Sequence, residues 1–288
     1  MVYLERFELP GTDAQMDVVS DLHWRCYPFH VFEEDVPPLE LGNITILYGG
    51  NGSGKTTLLN LMSEKLGLPR HTPYNRTPFF ERFVQMCRMR LAGEETGYPE
   101  RIPLQSRFIC SDDVFNHILR LREHNDARDL AADRASRQWG QEQFRRMKLN
   151  TYEQNGVDDF LTHMEARRST QSSFVRRRAQ EARREYSNGE SAYIYFTEAI
   201  GERGLYLLDE PENSLSPNLQ LDLVEFLSAS ATCGAQLVIS THSPLLLNLK
   251  GARIYDLDHS PIRLRPWYEL ENVRLLFDFF HHHQDLFL

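Results

Sequence analysis

The chain contains no apolar run near the ~20 residues that a membrane-spanning helix requires, so a membrane-embedded role is not expected. Its first residues, Met1-Val2-Tyr3-Leu4-Glu5-Arg6, lack the charged, apolar and small-residue zones of a secretory signal. The four cysteines, Cys26, Cys87, Cys110 and Cys233, are scattered without metal-like pairing and suit reduced thiols of the cytoplasm. There is no internal repeat, and no low-complexity linker divides the chain into separate folds. With 41% hydrophobic residues over 288 positions, the chain can bury one sizeable core and a subdomain. His281-His282-His283 offers no metal site, because consecutive residues on a helix face different ways, and these three are read as surface groups.

The most informative positive feature is Gly49-Gly50-Asn51-Gly52-Ser53-Gly54-Lys55-Thr56, a complete G-x-x-x-x-G-K-[ST] loop. It follows the apolar run Ile44-Thr45-Ile46-Leu47-Tyr48 and precedes a helical pattern that begins at Thr57. Glycines let such a loop curl until several N–H groups point inward at the positive end of the following helix, which is a phosphate cradle. Lys55 is expected to reach the β- and γ-phosphates and Thr56 to hold Mg²⁺, and Thr57 is expected to bind nucleotide with the loop residues Gly49 to Thr56. ATP and Mg²⁺ are therefore the expected ligands.

Two later apolar runs deliver polar clusters. Leu205-Tyr206-Leu207-Leu208-Asp209-Glu210 reads as a buried parallel strand ending in two carboxylates. In a phosphate-loop enzyme Asp209 would take the metal, and Glu210 would accept a proton from attacking water. Ala235-Gln236-Leu237-Val238-Ile239-Ser240 ends at Thr241-His242-Ser243-Pro244. Ligands of doubly wound sheets lie outside the carboxyl ends of the strands, so His242 is aimed at the same rim. Ser187-Asn188-Gly189-Glu190, 22 residues before Asp209, joins a hydroxyl to a small residue where a helix from Ser191 to Ile200 is expected to begin.

Together these four segments resemble the ATP-binding-cassette (ABC) ATPases, with their phosphate loop, signature serine and glycine, acid pair and switch histidine. The form Tyr186-Ser187-Asn188-Gly189-Glu190 departs from the LSGGQ of transporters. With Pro211-Glu212-Asn213-Ser214-Leu215-Ser216-Pro217 and Thr241-His242-Ser243-Pro244, it is similar to the soluble ATPases related to RecF, SMC and OLD proteins. The resemblance covers about residues 1–70 and 186–260. It implies an α/β P-loop NTPase of the ABC-type ATPase head class with a helical insertion subdomain. It further implies a homodimer that sandwiches two ATP molecules, with Ser187 and Gly189 of one copy facing the phosphate loop of the other.

The family's Gln at a strand end between phosphate loop and signature is missing. The strand here is Arg107-Phe108-Ile109-Cys110; Gln105 precedes it, and Ser111 or Asp112 stands where the Gln would be. Tyr27 or Phe29 falls roughly where transporters stack an aromatic on adenine, although a core aromatic is the plainer reading of either.

The expected organisation is an ATPase-head lobe over residues 1–76, a mainly helical insertion over 77–185, and a second head lobe over 186–288. Helical patterns run from Val114 to Lys148 and from Val157 to Arg184. The stretch from Trp267, with Leu270, Val273, Leu275, Leu276, Phe279 and Phe280 at helical spacing, is expected to pack against the head. Between Ile118 and Arg184 there are 15 Lys and Arg against 10 Asp and Glu, a net of +5 in a chain of net −9. Arg145-Arg146-Met147-Lys148, Arg167-Arg168, Arg176-Arg177-Arg178 and Arg183-Arg184 can engage DNA or an acidic effector protein, or form a solvated face. The three adjacent arginines at 176–178 are read as solvent-facing.

Two functions stay open. One is an ATP-hydrolysing dimeric switch acting on DNA or a soluble effector, in genome maintenance or phage defence as in relatives of this branch. The alternative is the cytosolic ATP-binding subunit of a membrane transporter, against which stand the signature, the missing Gln and the arginine-rich insertion.

Overall fold

The computed structural model describes residues 1–16, 27–32, 34–74, 76–144, 156–178 and 187–287. In chain order its strands are β1 (Leu4–Glu8), β2 (Leu39–Glu40), β3 (Ile44–Tyr48), β4 (Arg88–Leu91), β5 (Arg107–Cys110), β6 (Gly204–Asp209), β7 (Ala235–Ser240), β8 (Arg253–Asp256) and β9 (Arg263–Leu264). Its α-helices are α1 (Thr12–Met16), α2 (Lys55–Leu66), α3 (Phe80–Met86), α4 (Ser111–Phe144), α5 (Gly156–Arg168), α6 (Gln171–Arg178), α7 (Asn188–Ala199), α8 (Pro217–Thr232), α9 (Pro244–Leu247) and α10 (Glu271–His282). No helix among the described residues is long and apolar enough to cross a membrane.

Six strands form the main sheet in the order β5-β6-β7-β3-β8-β9. The pairings from β5 through β8 are parallel, and β9 is an antiparallel edge. Every residue of β3, β6 and β7 is buried, as expected of parallel strands covered on both faces. The register sets Cys110 beside Asp209, Asp209 beside Ser240, Leu47 beside Ser240 and Tyr48 beside Asp256. The carboxyl ends of five strands therefore share one rim. This is an α/β fold built on a mostly parallel sheet, with the phosphate-loop strand β3 between β7 and β8.

Two compact units divide the chain. One comprises Met1–Phe115 with Asn188–Leu288, and the other comprises Asn116–Ser187. The segment read as a mainly helical insertion from 77 thus begins with head structure. β4 pairs antiparallel with β1 in a three-stranded sheet, β2-β1-β4, and β5 is a strand of the main sheet. The four-residue strand Arg88–Leu91, separated from the seven-residue α3 by Cys87 alone, is too short to leave a period-2 pattern of its own. Within the second unit, Phe174, Ala135 and Ala166 form a small core, with Trp139 and Val175 against it. α5 and α6 break at Ser169-Thr170, where the Trp139 indole donates to the Ser169 carbonyl at 3.2 Å. Arg145, Arg146, Lys148, Arg183 and Arg184 lie outside the described residues, as does Cys26.

α10 corrects another expectation. Leu270 and Val273 are buried, but Leu275 is 69% exposed and Phe277 56%, and Leu276, Phe279 and Phe280 are also exposed. The tie to the head is made by the first turn: Asn272 N–H donates to the Tyr48 hydroxyl at 3.3 Å and its side-chain amide to the His242 carbonyl at 2.6 Å. Beyond that turn the aromatic rings pack on one another, as Phe279 does on Phe280 with centroids 5.4 Å apart.

The antiparallel sheet is fastened to the main one by a polar side chain. Gln236, fully buried in β7, accepts from Tyr3 N–H at 2.8 Å and Leu4 N–H at 2.9 Å. Its amide donates to Leu4 O at 2.7 Å and Gly42 O at 3.0 Å. Replacing it would leave four backbone groups without these partners, each unmade bond costing about 1–3 kcal/mol. Gln236→Leu, close in size and apolar, is expected to lower the unfolding free energy by roughly 3 kcal/mol or more, read as a lower urea midpoint at unchanged m-value. A loss below about 1 kcal/mol would mean that the amide is not what joins the sheets.

Candidate nucleotide site

The loop after β3 is shaped by contacts that crowd a side chain at two of its glycines, Gly49 and Gly54. Gly54 caps α2 at φ +92°, and a Cβ there would lie 2.8 Å from the Phe32 ring and 2.9 Å from Val31. A Cβ on Gly49 would lie 2.4 Å from Ser53 Oγ. Gly50 N–H is anchored by both carboxylate oxygens of Asp258, at 2.7 and 2.9 Å, just beyond β8. Lys55, buried, donates to the carbonyls of Gly49 and Gly50 at 2.7 and 2.8 Å. A cavity of about 360 Å³ opens over this loop, lined by Asn51, Gly52, Gly54, Lys55, Thr56 and Thr57 together with Val31 and Glu210.

The strand ends bring the other expected residues here. Thr56 Oγ1 donates to Asp209 Oδ1 at 3.1 Å, and the Ser240 hydroxyl makes a short hydrogen bond to the same oxygen. Asp209 is only 9% exposed; desolvation holds its carboxyl above the usual range, while these two hydroxyls pull the other way. Glu210, one residue past the strand, sits at φ +47°, a left-handed conformation that a side chain rarely adopts. Its amide is held by Ser240 O at 3.0 Å, and its carboxylate accepts from Asn213 Nδ2 at 3.1 Å. Glu210 Oε1 lies 4.0 Å from Lys55 Nζ and 3.8 Å from His242 Nδ1. Lys55, Thr56, Asp209, Glu210 and His242 are thus gathered at one rim.

Ser187 and Gly189 take a different place. Ser187 is exposed immediately before α7, which starts three residues earlier than expected, and neither residue lines the phosphate-loop cavity. A Cβ on Gly189 would meet Leu219 at 3.0 Å and Ser214 O at 3.1 Å, so the glycine permits close approach to the loop after the acid pair. Tyr27 and Phe29 are core aromatics: Tyr27 stacks on Phe80 at 5.7 Å, and Phe29 meets Phe83 edge-on at 5.0 Å.

Four polar residues escaped the sequence reading. Asp258 anchors Gly50 across 208 positions, and Ser240 braces Asp209. Glu212 Oε1 accepts from Thr241 Oγ1 at 2.6 Å and His242 N–H at 3.0 Å. Asp113, buried at the start of α4, accepts from the Thr72 hydroxyl and from Cys110 N–H at 3.0 Å, beside the Ser111 and Asp112 considered for the missing Gln. Gln105 instead donates to Arg203 O at 2.6 Å before β5 begins. Burial pushes the Cys110 thiol up to about 11, so it stays protonated beside Asp209 at neutral pH.

Residues 94–248, 155 of the 288, match the family described as "AAA domain, putative AbiEii toxin, Type IV TA system". The chain belongs to that family. No curated protein matches it. Among solved structures it is similar to an SMC head domain with an extended coiled coil, bound to the C-terminal domain of ScpA, from Pyrococcus furiosus. That likeness has 11% identity, covers 97% of this chain and 100% of the other, and has a TM-score of 0.49. It is similar also to a nucleotide-free ATP-binding cassette from an ABC transporter, with 15% identity, 96% of each chain covered and a TM-score of 0.43. The family assignment agrees with the loop and strand geometry in identifying an AAA domain with a phosphate loop.

The raised Asp209 carboxyl has a stability consequence. The unfolded chain releases this proton at ordinary carboxylate pH, while the folded chain holds it to higher pH. The group's contribution to stability is full below the unfolded value and lost as pH rises through the folded one. Asp209→Asn keeps the hydroxyls' acceptor without the buried charge. Measured without nucleotide, it is expected to raise Tm by roughly 3 °C at pH 7, with the gain shrinking toward pH 4. An unchanged or lower Tm at pH 7 would show that the charge is not a burden on the fold.

Proposed function

We propose that this AAA protein binds and hydrolyses ATP with Mg²⁺ in a head-to-head homodimer, and that the cycle acts as a switch on DNA or on a soluble effector protein. The observation that carries the reading is the meeting of Lys55, Thr56, Asp209, Glu210 and His242 at one strand-end rim. A hydroxyl and a buried carboxylate 3.1 Å apart form a hard-oxygen donor set of the kind that suits Mg²⁺. Thr56 and Asp209 would hold that ion, which supplies charge neutralisation at the β- and γ-phosphates.

In this reading the loop amides and Lys55 bind the phosphates, with Gly49 to Gly54 giving the backbone its close approach. Glu210 takes the proton of the attacking water, and its left-handed backbone together with Asn213 fixes the carboxylate for that task. His242 stands across Glu210 to orient the water and the γ-phosphate. Ser187 and Gly189 serve the opposite copy's nucleotide, in keeping with the exposure of Ser187.

Lys55→Ala is expected to weaken ATP binding at least about 100-fold, measured by calorimetry with Mg²⁺. Glu210→Gln should bind ATP normally and lower turnover on the order of 10²–10⁴-fold. ATP should then shift it to a stable dimer by light scattering. Absent Mg²⁺-ATPase in the wild type, or trapped ATP without a dimer, argues against hydrolysis or the sandwich respectively.

The family's description, "AAA domain, putative AbiEii toxin, Type IV TA system", supports an effector-linked role, and defence against phage is the setting we propose for it. The partner surface is proposed on the helical unit, residues Asn116–Ser187. Its exposed basic residues include Arg167, Arg168, Arg176 and Arg177. Arg178 differs from the expectation for this run: it covers the Phe174 ring at 3.8 Å and pairs with Glu165 at 2.8 Å, so it packs over the unit's small core. The informative variant therefore reverses Arg167, Arg168 and Arg176 to Glu and spares Arg178. It should abolish biological activity with basal ATPase within about twofold. It should also either flatten the salt dependence of DNA binding by about two to three phosphate contacts or lose a co-purifying effector. Full activity would make the basic face a solvated surface.

A further inference from the structure

We infer that Glu212 is a positioning residue for His242, fixing the switch-histidine loop in the geometry that turnover requires; this rests on the ATPase reading above. Glu212 is 6% exposed, and among the described residues one oxygen of its carboxylate carries the side chain's hydrogen bonds. Oε1 accepts the Thr241 hydroxyl at 2.6 Å and the His242 amide at 3.0 Å, and it lies 3.7 Å from His242 Nδ1. Oε2 is buried and makes no hydrogen bond among the described residues. A buried carboxylate is costly unless hydrogen bonds offset its desolvation, and among the described residues its donors belong to residues 241 and 242.

The rest of the loop is fastened to match. Asn272 Nδ2 donates to the His242 carbonyl at 2.6 Å, so Glu212 and Asn272 grip the two polar groups of one residue. Ser243 N–H donates to Thr241 Oγ1 at 3.0 Å, and the Ser243 hydroxyl donates to Gln220 Oε1 at 2.7 Å. With its backbone clamped, the His242 ring remains 50% exposed and faces Glu210 Oε1 at 3.8 Å. The ring has freedom to meet a substrate while its Cα does not. Glu212 thus acts through His242 and need not touch nucleotide.

Glu212→Ala is expected to lower kcat at least tenfold with ATP affinity within about twofold. In a His242→Ala background the same change should cost less than twofold, because residues acting through one group are non-additive. Equal losses in both backgrounds, or no loss of kcat, would overturn the inference. Glu212→Gln, which retains an oxygen for both bonds, guards against poor folding of the alanine variant and should recover most of the turnover. A second measurement stands apart from catalysis. The His242 ring resonance, assigned by its disappearance in His242→Ala, should move and broaden in Glu212→Ala or, if that variant does not fold, in Thr241→Val. An unchanged resonance defeats the inference even if the wild type proves inactive, whereas an inactive wild type with a shifted resonance defeats only the ATPase reading.

Discussion

Everything at the rim depends on how parallel strands line up at Asp209. Its carboxylate is buried between β7 and the start of α2, and one oxygen receives both the Ser240 and the Thr56 hydroxyls. Because the register pairs Asp209 with Ser240 and Ser240 with Leu47, a one-residue slip of β6 would turn this side chain to the other face of the sheet. The acid pair, the histidine loop and the phosphate loop would then no longer converge.

The bracing is arranged in shells of increasing sequence distance. Asn213, three residues from Glu210, holds its carboxylate; Glu212 reaches the next strand's loop; Asp258 secures the phosphate loop from beyond β8. The left-handed Glu210 is the strained member, and the amide bonds to Ser240 on one side and Asn213 on the other over-determine its backbone. Rigidity here comes from hydrogen bonds to backbone amides and between polar side chains, whereas the core below is apolar, with Leu47, Leu58, Met62, Leu207 and Val238 fully buried.

Much of this was legible in the chain itself. β3, β5 and the acid-bearing β6 announced themselves by short apolar runs, and the loop glycines by spacing, because those signals are local. What was not legible depends on distant partners. Nothing near Gln236 marks it as the fastener of Tyr3 and Leu4, and nothing near Asp258 points to Gly50. The apolar spacing of α10 promised burial, yet only Leu270 and Val273 find the head, since periodicity reports a face and not what covers it. Arg178 looked like its neighbours in sequence but lies over Phe174.

The strand that carries the phosphate loop has late neighbours. β3 ends at Tyr48, while its partners β7 and β8 begin at Ala235 and Arg253, and the Gly50 anchor is Asp258. Contacts so far apart in sequence close slowly, and on the ribosome they cannot close until the later strands have emerged. The phosphate cradle is consequently among the last parts of this head to take shape. A partly made chain carries the complete glycine motif without the sheet that gives it form, so the capacity to engage a nucleotide arrives only after the acid pair and the histidine loop have been synthesised.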